Sequence, residues 1–427
     1  MPPTSWLDDF VNRHRRFESP LSFWRWAGIC AASAVLKDSV YLEFDNFSLY
    51  PNIYVMLHAD SGLKKGPPVN AAKKLVKEVG NTTIISGRSS IQGILKKLGS
   101  AESQPGGRVK KGSSAFICSS ELTSSIVDDP AATDLLTDLY DRSYNAGDWD
   151  SLLKSEEFRL KDVTLTMLSA TNDAHSTEFF EKKDVAGGFL ARTFIIQESK
   201  ENRPNSLIVR GAGSVVNYAE LASYLKQIAQ LKGPFASLGG IEETETHTFK
   251  KYNEYDKQDF YYSAAGIVYE NWYEEFKKNA VDADDKTGTL NRLGASVLKV
   301  AMILSLCERP VLEISESAMI DAIELCEKLV GNIRKVTFGR QDYDPTDAHR
   351  KKCLILELMQ RENRTISHAQ LTKKYWMHGT NKEWEETVIS LAQAEILDVK
   401  PMGQQLLYEM REQAYNDFKK RLEGLKK

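Results

Sequence analysis

The sequence predicts an α/β fold, a parallel sheet with helices packed on it, followed by a small module of helices and a hairpin at the C-terminal end. Three observations carry this expectation. Short apolar runs alternate with helical segments between residues 53 and 197, the pattern of strands buried on both faces by crossover helices. The first of these runs leads through a loop containing glycine and lysine into a helix opened by two prolines. Residues 346–410 then compress three helical patterns and a strand–turn–strand into one short stretch.

Composition narrows the class. With 427 residues the chain is long enough for two or three domains, and an apolar share of 42% with 27% charged residues is that of a globular protein. No apolar run long enough to span a bilayer is expected. The opening Ser5-Trp6-Leu7-Asp8-Asp9 carries acids where an export signal would carry basic residues. Five cysteines stand far apart (Cys30, Cys118, Cys307, Cys326, Cys353), without a Cys-x-x-Cys pair or clustered histidines. They read as reduced, buried thiols, and the compartment as the cytoplasm of a bacterial host cell. The net charge of −3 asks for no nucleic-acid partner, so any such surface must be local. The tail from Met410 to Lys427 holds six basic residues against three acids. It reads first as a solvated terminal helix and second as a basic contact surface.

In chain order, residues 5–37 read as helical, and with a short strand at Val40–Phe44 they form a helical N-terminal region over 1–48. The core spans 49–210. Its first strand is Ile53–Leu57, and further buried strands fall at Thr82–Ile85, Ala115–Ser119, Leu165–Ser169 and Thr193–Gln197. Helices at Val69–Val79, Ser90–Leu98 and Ala131–Tyr140 separate them. Two insertions break the rhythm, a Gly- and Ser-rich one at Gly99–Gly112 and a hairpin at Ser143–Asp162. Residues 211–337 read as a mainly helical lid region, with amphipathic helices at Leu290–Leu306 and Ser315–Val336. A polar linker precedes the C-terminal module at 346–412, and the basic tail closes the chain at 413–427.

The loop after the first strand is the first candidate site. Phosphate binding needs backbone amides converging at a helix start, together with a cation. The window Ala59-Asp60-Ser61-Gly62-Leu63-Lys64-Lys65-Gly66 places Lys65 where a phosphate-loop lysine stands, after a strand and before a helix. It departs from the consensus in three places. Ala59 and Lys64 replace the two glycines, and Gly66 replaces the hydroxyl residue that would hold Mg²⁺. In the additional-strand class of P-loop proteins, the next strands end in an acid that activates water and in a polar sensor. Phe116-Ile117-Cys118-Ser119-Ser120-Glu121 supplies Glu121, with Ser120 where a metal-side acid is usual. Leu165 to Asn172 ends in Thr171-Asn172. Arg192, after Gly187-Gly188-Phe189-Leu190-Ala191, has the character of a finger that stabilises phosphate charge, often from a neighbouring subunit. Arg292 could reach the nucleotide as a lid residue. A surface or interdomain salt bridge is the alternative reading of both arginines.

These residues resemble a known family. Leu49-Tyr50-Pro51-Asn52-Ile53-Tyr54-Val55 followed by Ser61-Gly62-Leu63-Lys64-Lys65-Gly66 is similar to the primase-helicase-associated P-loop domain of phages, plasmids and integrated elements. Glu121, Leu139-Tyr140-Asp141, Thr171-Asn172 and Gly187-Gly188-Phe189-Leu190-Ala191-Arg192 extend the likeness over about residues 18–310. The resemblance implies a P-loop NTPase core with a RecA- or AAA+-like parallel sheet, and an ATP-driven helicase-like module acting in replication of the element. By position it implies that Lys65 contacts the β- and γ-phosphates, Glu121 activates water, Asn172 senses it and Arg192 acts as finger. ATP with Mg²⁺ is the implied cofactor, with Mg²⁺ lacking its usual ligand at Gly66. About fifty residues precede the loop, so priming is expected from a separate primase or replication initiator.

The C-terminal module predicts a winged helix. Helices at Asp347–Gln360, Ser367–Tyr375 and Asn381–Ala394 precede strands at Ile396–Pro401 and Gln405–Glu409. Its third helix begins with Glu383, Glu385 and Glu386, which repel phosphates, so a protein contact competes with base reading. Single-stranded or forked DNA would instead meet the insertions, through Lys154, Arg159 and Lys161 in one and Arg108, Lys110 and Lys111 in the other. Solvated loops are the competing reading. The expectation is an ATP-dependent, ring-forming helicase-like homo-oligomer. The alternatives are a non-hydrolysing nucleotide-binding loader or scaffold, and a winged-helix DNA-binding replication regulator.

Overall fold

A computed structural model gives the structure of the chain. It describes residues 5–86, 91–99, 113–119, 130–141, 149–152, 157–160, 162–171, 188–202, 216–280, 288–333, 352, 355–356, 358–359, 362, 364–374, 381–402 and 405–416. The chain divides into two units, Met1–Arg334 and Lys335–Lys427.

The first unit is mixed α/β and is organised by a five-stranded, all-parallel sheet. Its strands are β3 (Tyr54–His58), β4 (Thr83–Ser86), β5 (Ser114–Ser119), β8 (Thr164–Thr171) and β9 (Thr193–Gln197), in the spatial order β4-β5-β8-β3-β9. Every residue of β3 and β8 is buried, which is why these runs read as continuous apolar stretches. The chain leaves β3 for the far edge at β4, returns through β5 and β8, and crosses β3 to reach β9. A sheet traversed in both directions opens a crevice at the carboxyl ends of its strands where the direction reverses, here between β3 and β8.

Two N-terminal helices, α1 (Trp6–His14) and α2 (Leu21–Leu36), support this sheet. Ser5 caps α1 by accepting from the Asp8 amide at 3.1 Å. Nearly the whole of α2 is buried, between α3 (Gly66–Val79), β8 and the later helix Thr289–Glu308. Gly28 lets α1 lie close against α2, because a Cβ there would stand 2.6 Å from Leu7 Cδ1. The region to residue 48 is not wholly helical. It holds β1 (Val40–Glu43), which pairs with β2 (Ser48–Leu49) and, in parallel, with β10 (Gly233–Pro234). Helices α4 (Ile91–Gly99) and α5 (Pro130–Tyr140) follow β4 and β5. The insertion after α5 pairs as the predicted hairpin, β6 (Trp149–Leu152) with β7 (Glu157–Leu160).

Four helices make up most of the described residues between 216 and 333, with short strands between the first two. After α6 (Tyr218–Ile228) come β10 and a three-stranded antiparallel sheet of β11 (Gly239–Gly240), β12 (Phe249–Asn253) and β13 (Gln258–Tyr262). Aromatic residues that pack well on a pleated surface populate β12 and β13, and the turn through Glu254–Lys257 reverses the chain. Helices then return as α7 (Ala264–Ala280), α8 (Thr289–Glu308) and α9 (Glu316–Ile333). By length and composition α8 is apolar enough to cross a membrane, unlike any run expected from the sequence, but 72% of its apolar window is buried inside the fold.

The second unit has its own core of Ile355, Leu358, Met359, Ile366, Leu371, Trp384, Val388, Leu391, Leu397, Tyr408 and Met410. A short strand, β14 (Thr365–Ser367), precedes α10 (His368–Lys374) and α11 (Asn381–Gln393). A hairpin of β15 (Leu397–Met402) and β16 (Gln405–Met410) completes an antiparallel sheet in the order β14-β16-β15. Ser367 and Gln370 form a reciprocal cap at the start of α10. The Ser367 hydroxyl accepts from the Gln370 amide at 3.2 Å, and the Gln370 side chain accepts from the Ser367 amide at 2.7 Å.

Candidate functional site

All five strands of the sheet run parallel, so their carboxyl ends share one edge, and the loop of residues 59–65 lies there between β3 and α3. Its backbone changes hand twice. Gly62 has φ +100° and Lys64 has φ +49°, whereas Lys65 returns to the right-handed region at φ −66°, ψ −31°. Alternation of this kind turns successive amides toward one side and builds a concavity for an anion. Two local bonds hold the turn, a long one from the Leu63 amide to the Asp60 carbonyl at 3.4 Å and one from the Lys64 amide to the Gly62 carbonyl at 2.8 Å. Leu63 anchors it by burying its side chain, while Ser61, Gly62 and Lys64 are exposed.

Lys65 lies at the junction with α3. Its ammonium folds back on the loop, donating to the Ala59 carbonyl at 2.5 Å and the Asp60 carbonyl at 2.9 Å. The ammonium is thereby placed at the mouth of the loop. Gly66 is the first residue of α3. The prolines at 67 and 68 fit the first turn but remove two of the amide donors that a helix start otherwise offers.

Neighbouring elements brace this edge. Ser19, just before α2, donates its hydroxyl to the Lys64 carbonyl at 2.7 Å, and Glu18 stands 3.9 Å from Lys64 Nζ. Past β9, the Glu198 amide donates to the His58 carbonyl at 3.1 Å and its carboxylate accepts from Ser22 at 2.6 Å. Sequence reasoning missed Glu18 and Ser19. They precede the loop by some forty residues, and no local pattern marks them.

Of the predicted nucleotide-binding residues, Thr171 ends β8 directly beside His58 at the end of β3, and is buried. The acid strand β5 runs out at Ser119 on the same edge, next to β8. Glu121 and Asn172 lie outside the described residues, as do Ser120, Arg108, Lys110, Lys111, Lys154 and Lys161. Arg159 belongs to β7, but its side chain is likewise outside the description. Among the described residues no cluster of three or more His, Cys, Asp or Glu could hold a metal ion.

The two arginines are at the opposite edge of the sheet. Arg192 ends a 3₁₀ turn (Leu190–Arg192) immediately before β9. Its Nε donates to Asp141 Oδ2 at 2.9 Å, its Nη2 makes a second, shorter bond to the same oxygen, and Nη1 donates to the Gly188 carbonyl at 2.8 Å. Arg292, in the first turn of α8, reaches Asp141 with Nη1 at 3.1 and 3.3 Å. One carboxylate therefore gathers both guanidinium groups. A strand of five residues such as β3 spans about 16 Å, so neither arginine meets an anion held by the Lys65 loop of the same chain. The lid role expected for Arg292 is absent within one chain, and the salt-bridge alternative describes both arginines there.

Beside this cluster is a second polar group that the sequence did not reveal. Lys299 on α8 is 5% exposed, donates to the backbone carbonyl of Asn52 at 3.1 Å and to its Oδ1 at 2.8 Å, and stands 3.9 Å over the Tyr140 ring. Burial pushes its ammonium down to about 7. Asp141 opposes that shift, and the charges of Arg292 and Arg192 reinforce it. Asn52 also donates to the Tyr140 carbonyl at 3.1 Å, so the Pro51-Asn52 motif ties β3, α5 and α8 together at the sheet's amino edge.

In comparison with known proteins, the chain matches no protein-family model and no curated sequence.

Proposed function

We propose that this chain is an ATP-binding P-loop protein of the helicase-like, additional-strand class, working on DNA in the replication of a phage or other mobile element. The observation that carries the reading is the path β3–loop–α3, with Lys65 at the loop's mouth and β8 inserted between β3 and β5. That insertion is what the additional-strand class requires, because it sets the sensor strand between the loop strand and the acid strand. The strands β5 and β8 run out at Ser119 and Thr171 on the loop's edge, and the sequence next supplies Glu121 and Asn172.

On this reading the loop amides other than those of Leu63 and Lys64, together with Lys65, hold the triphosphate, and ATP supplies the phosphoryl group whose transfer to water drives movement. The fit to Mg²⁺ is incomplete. Gly66 offers no oxygen where the ion's protein ligand belongs, so no catalytic step is assigned through it. Arg192 and Arg292 serve a nucleotide only if a second copy brings its own loop to the amino edge of this chain. A homo-oligomer, with a separate primase or replication initiator as partner, is therefore part of the proposal. The order β14-β16-β15 with α10 and α11 supports a winged helix in the second unit. The acids that open α11 favour a protein partner there over base reading.

Equilibrium binding of ATP and steady-state turnover, with and without single-stranded DNA, test the proposal. Lys65→Ala should weaken ATP at least about tenfold, the loss of a charge-assisted phosphate contact. Glu121→Gln should keep binding and lower turnover by about a hundredfold or more. Binding and turnover like the wild type in both variants would refute the site. Gly66, Ser120 and the proline pair favour one rival, a loader or scaffold that binds nucleotide without hydrolysing it. Tight binding with no DNA-stimulated turnover would select that rival.

A further inference from the structure

At the amino edge of the sheet a cavity of about 350 Å³ opens between the segment of residues 47–52, the end of α5 and the first turns of α8. Its polar wall is made by Asn52, Asp141, Arg292, Ser296 and Lys299, and its apolar wall by Phe47, Leu49 and Tyr50. Arg192 stands behind it on Asp141. Two guanidinium groups and the Lys299 amine thus stand around a single carboxylate, which both arginines already engage. Excess positive charge in a walled space, with partly desolvated donors, is the chemistry of an oxyanion receptor.

We propose that this cavity is a second anion site, distinct from the Lys65 loop, which takes the phosphate-type oxyanion of a small molecule with an apolar flank. The proposal does not depend on the nucleotide reading of the loop. Arg292 supplies the exposed end of the receptor, with its side chain 36% exposed. Lys299 supplies the buried end. A neutral Lys299 amine has two N–H donors and Asn52 offers two acceptors, so a third proton, acquired when an anion arrives, is the one left for the ligand. Among the described residues, the groups facing Lys299 are Asp141, Arg192, Arg292 and Tyr140, with Cys326 of α9 behind Tyr140. The only carboxylate among them, Asp141, is taken by the arginines. An entering oxyanion therefore raises the affinity of Lys299 for its proton, and binding takes up a proton in the range just above neutral pH, where the free site is losing it.

Calorimetric titration of the full chain with inorganic pyrophosphate tests this. Binding should survive Lys65→Ala and weaken about tenfold or more in Arg292→Ala, a half-exposed position whose loss leaves the fold intact. With inorganic sulfate, whose charge is constant around neutrality, heats measured in buffers of different ionisation enthalpy should reveal proton uptake near pH 8. That uptake should be absent in Lys299→Met. No binding by the wild type overturns the proposal. So does binding abolished by Lys65→Ala and untouched by Arg292→Ala, which would leave the loop as the one site. An Arg292 effect confined to concentrations at which the chain self-associates also overturns it, because the oxyanion would then be a neighbouring copy's nucleotide. Loss in Arg292→Ala without loss in Lys65→Ala supports this site and leaves the loop to the ATP titration, where Lys65→Ala alone decides it.

Discussion

Asn52 and His14 show how single buried polar side chains hold this fold. Asn52 is 3% exposed, accepts from Lys299 and donates to the Tyr140 carbonyl, so it satisfies groups from two other elements at once. Asn52→Leu would strand the buried Tyr140 carbonyl and leave the buried Lys299 amine with the backbone acceptor alone, which costs about 1–3 kcal/mol. The expected result in denaturant unfolding is a clearly lower midpoint with an unchanged slope, and an unchanged midpoint would refute the linking role. His14 is wholly buried between Phe10 and Trp24. Its Nδ1 donates to the Phe10 carbonyl at 2.7 Å, and its Nε2 then accepts from the Tyr218 hydroxyl at 3.1 Å. Burial pushes its pKa down to about 4, with Arg16 and Arg13 acting in the same direction. Between the usual value of 6.5 and about 4 the unfolded chain binds the proton that the folded chain refuses. Stability is therefore full above that window and falls as the pH drops through it, by up to about 3 kcal/mol. His14→Gln keeps a donor for Phe10 and removes the titration, so its melting temperature should decline less than that of the wild type between pH 7 and 4.5. Parallel declines would show that His14 is not the group responsible.

At the scale of elements, the junction of the loop and α3 carries the functional argument. Gly62 needs its glycine for φ +100°. Gly66 has no such need. It sits in ordinary helical backbone at the start of α3, and a Cβ there would meet nothing within 4 Å. A hydroxyl therefore fits at Gly66 without strain, at the position where the consensus places a Mg²⁺ ligand. Gly66→Ser should raise Mg²⁺-dependent ATP turnover several-fold while leaving the melting temperature within a degree or two. Turnover unchanged across a Mg²⁺ titration would mean that the loop does not present a nucleotide to the ion. This element was legible in the sequence because all its signals are local: five apolar residues, a glycine and lysine turn, and prolines at a helix start. The hairpin of β12 and β13 carried a local signal as well, in Phe249, Tyr252, Phe260, Tyr261 and Tyr262 around a polar turn. It interrupts a mainly helical stretch, and the charged residues between those aromatics dilute their alternation. Asp141 gathers Arg192 and Arg292 from 51 and 151 residues away, and pairing at such separations leaves no trace in spacing.

Across the whole molecule, the two polar centres of the first unit lie at opposite edges of one sheet, the Lys65 loop at the carboxyl ends and the Arg192–Asp141–Arg292 cluster at the amino ends. A single chain cannot bring them together across strands about 16 Å long. A ring can, because a head-to-tail interface sets one edge of each copy against the opposite edge of the next. If the nucleotide is shared in this way, Lys65→Ala and Arg192→Ala remove different halves of the same site and belong to different subunits. Each variant alone should lack DNA-stimulated ATP turnover. In an equal mixture, an interface that joins an intact loop from one variant to an intact arginine from the other recovers function, and random assembly yields about a quarter of all interfaces in that state. Turnover in the mixture should therefore rise to about that fraction of the wild-type rate, and should fall again on dilution below the assembly concentration. Arg192 also holds Asp141, so the Arg192→Ala chain must first melt as a folded protein for the mixture to be informative. With that met, a mixture as inactive as its components would place the whole site within one chain, and Arg192 would then be a structural partner of Asp141 with no part in the reaction.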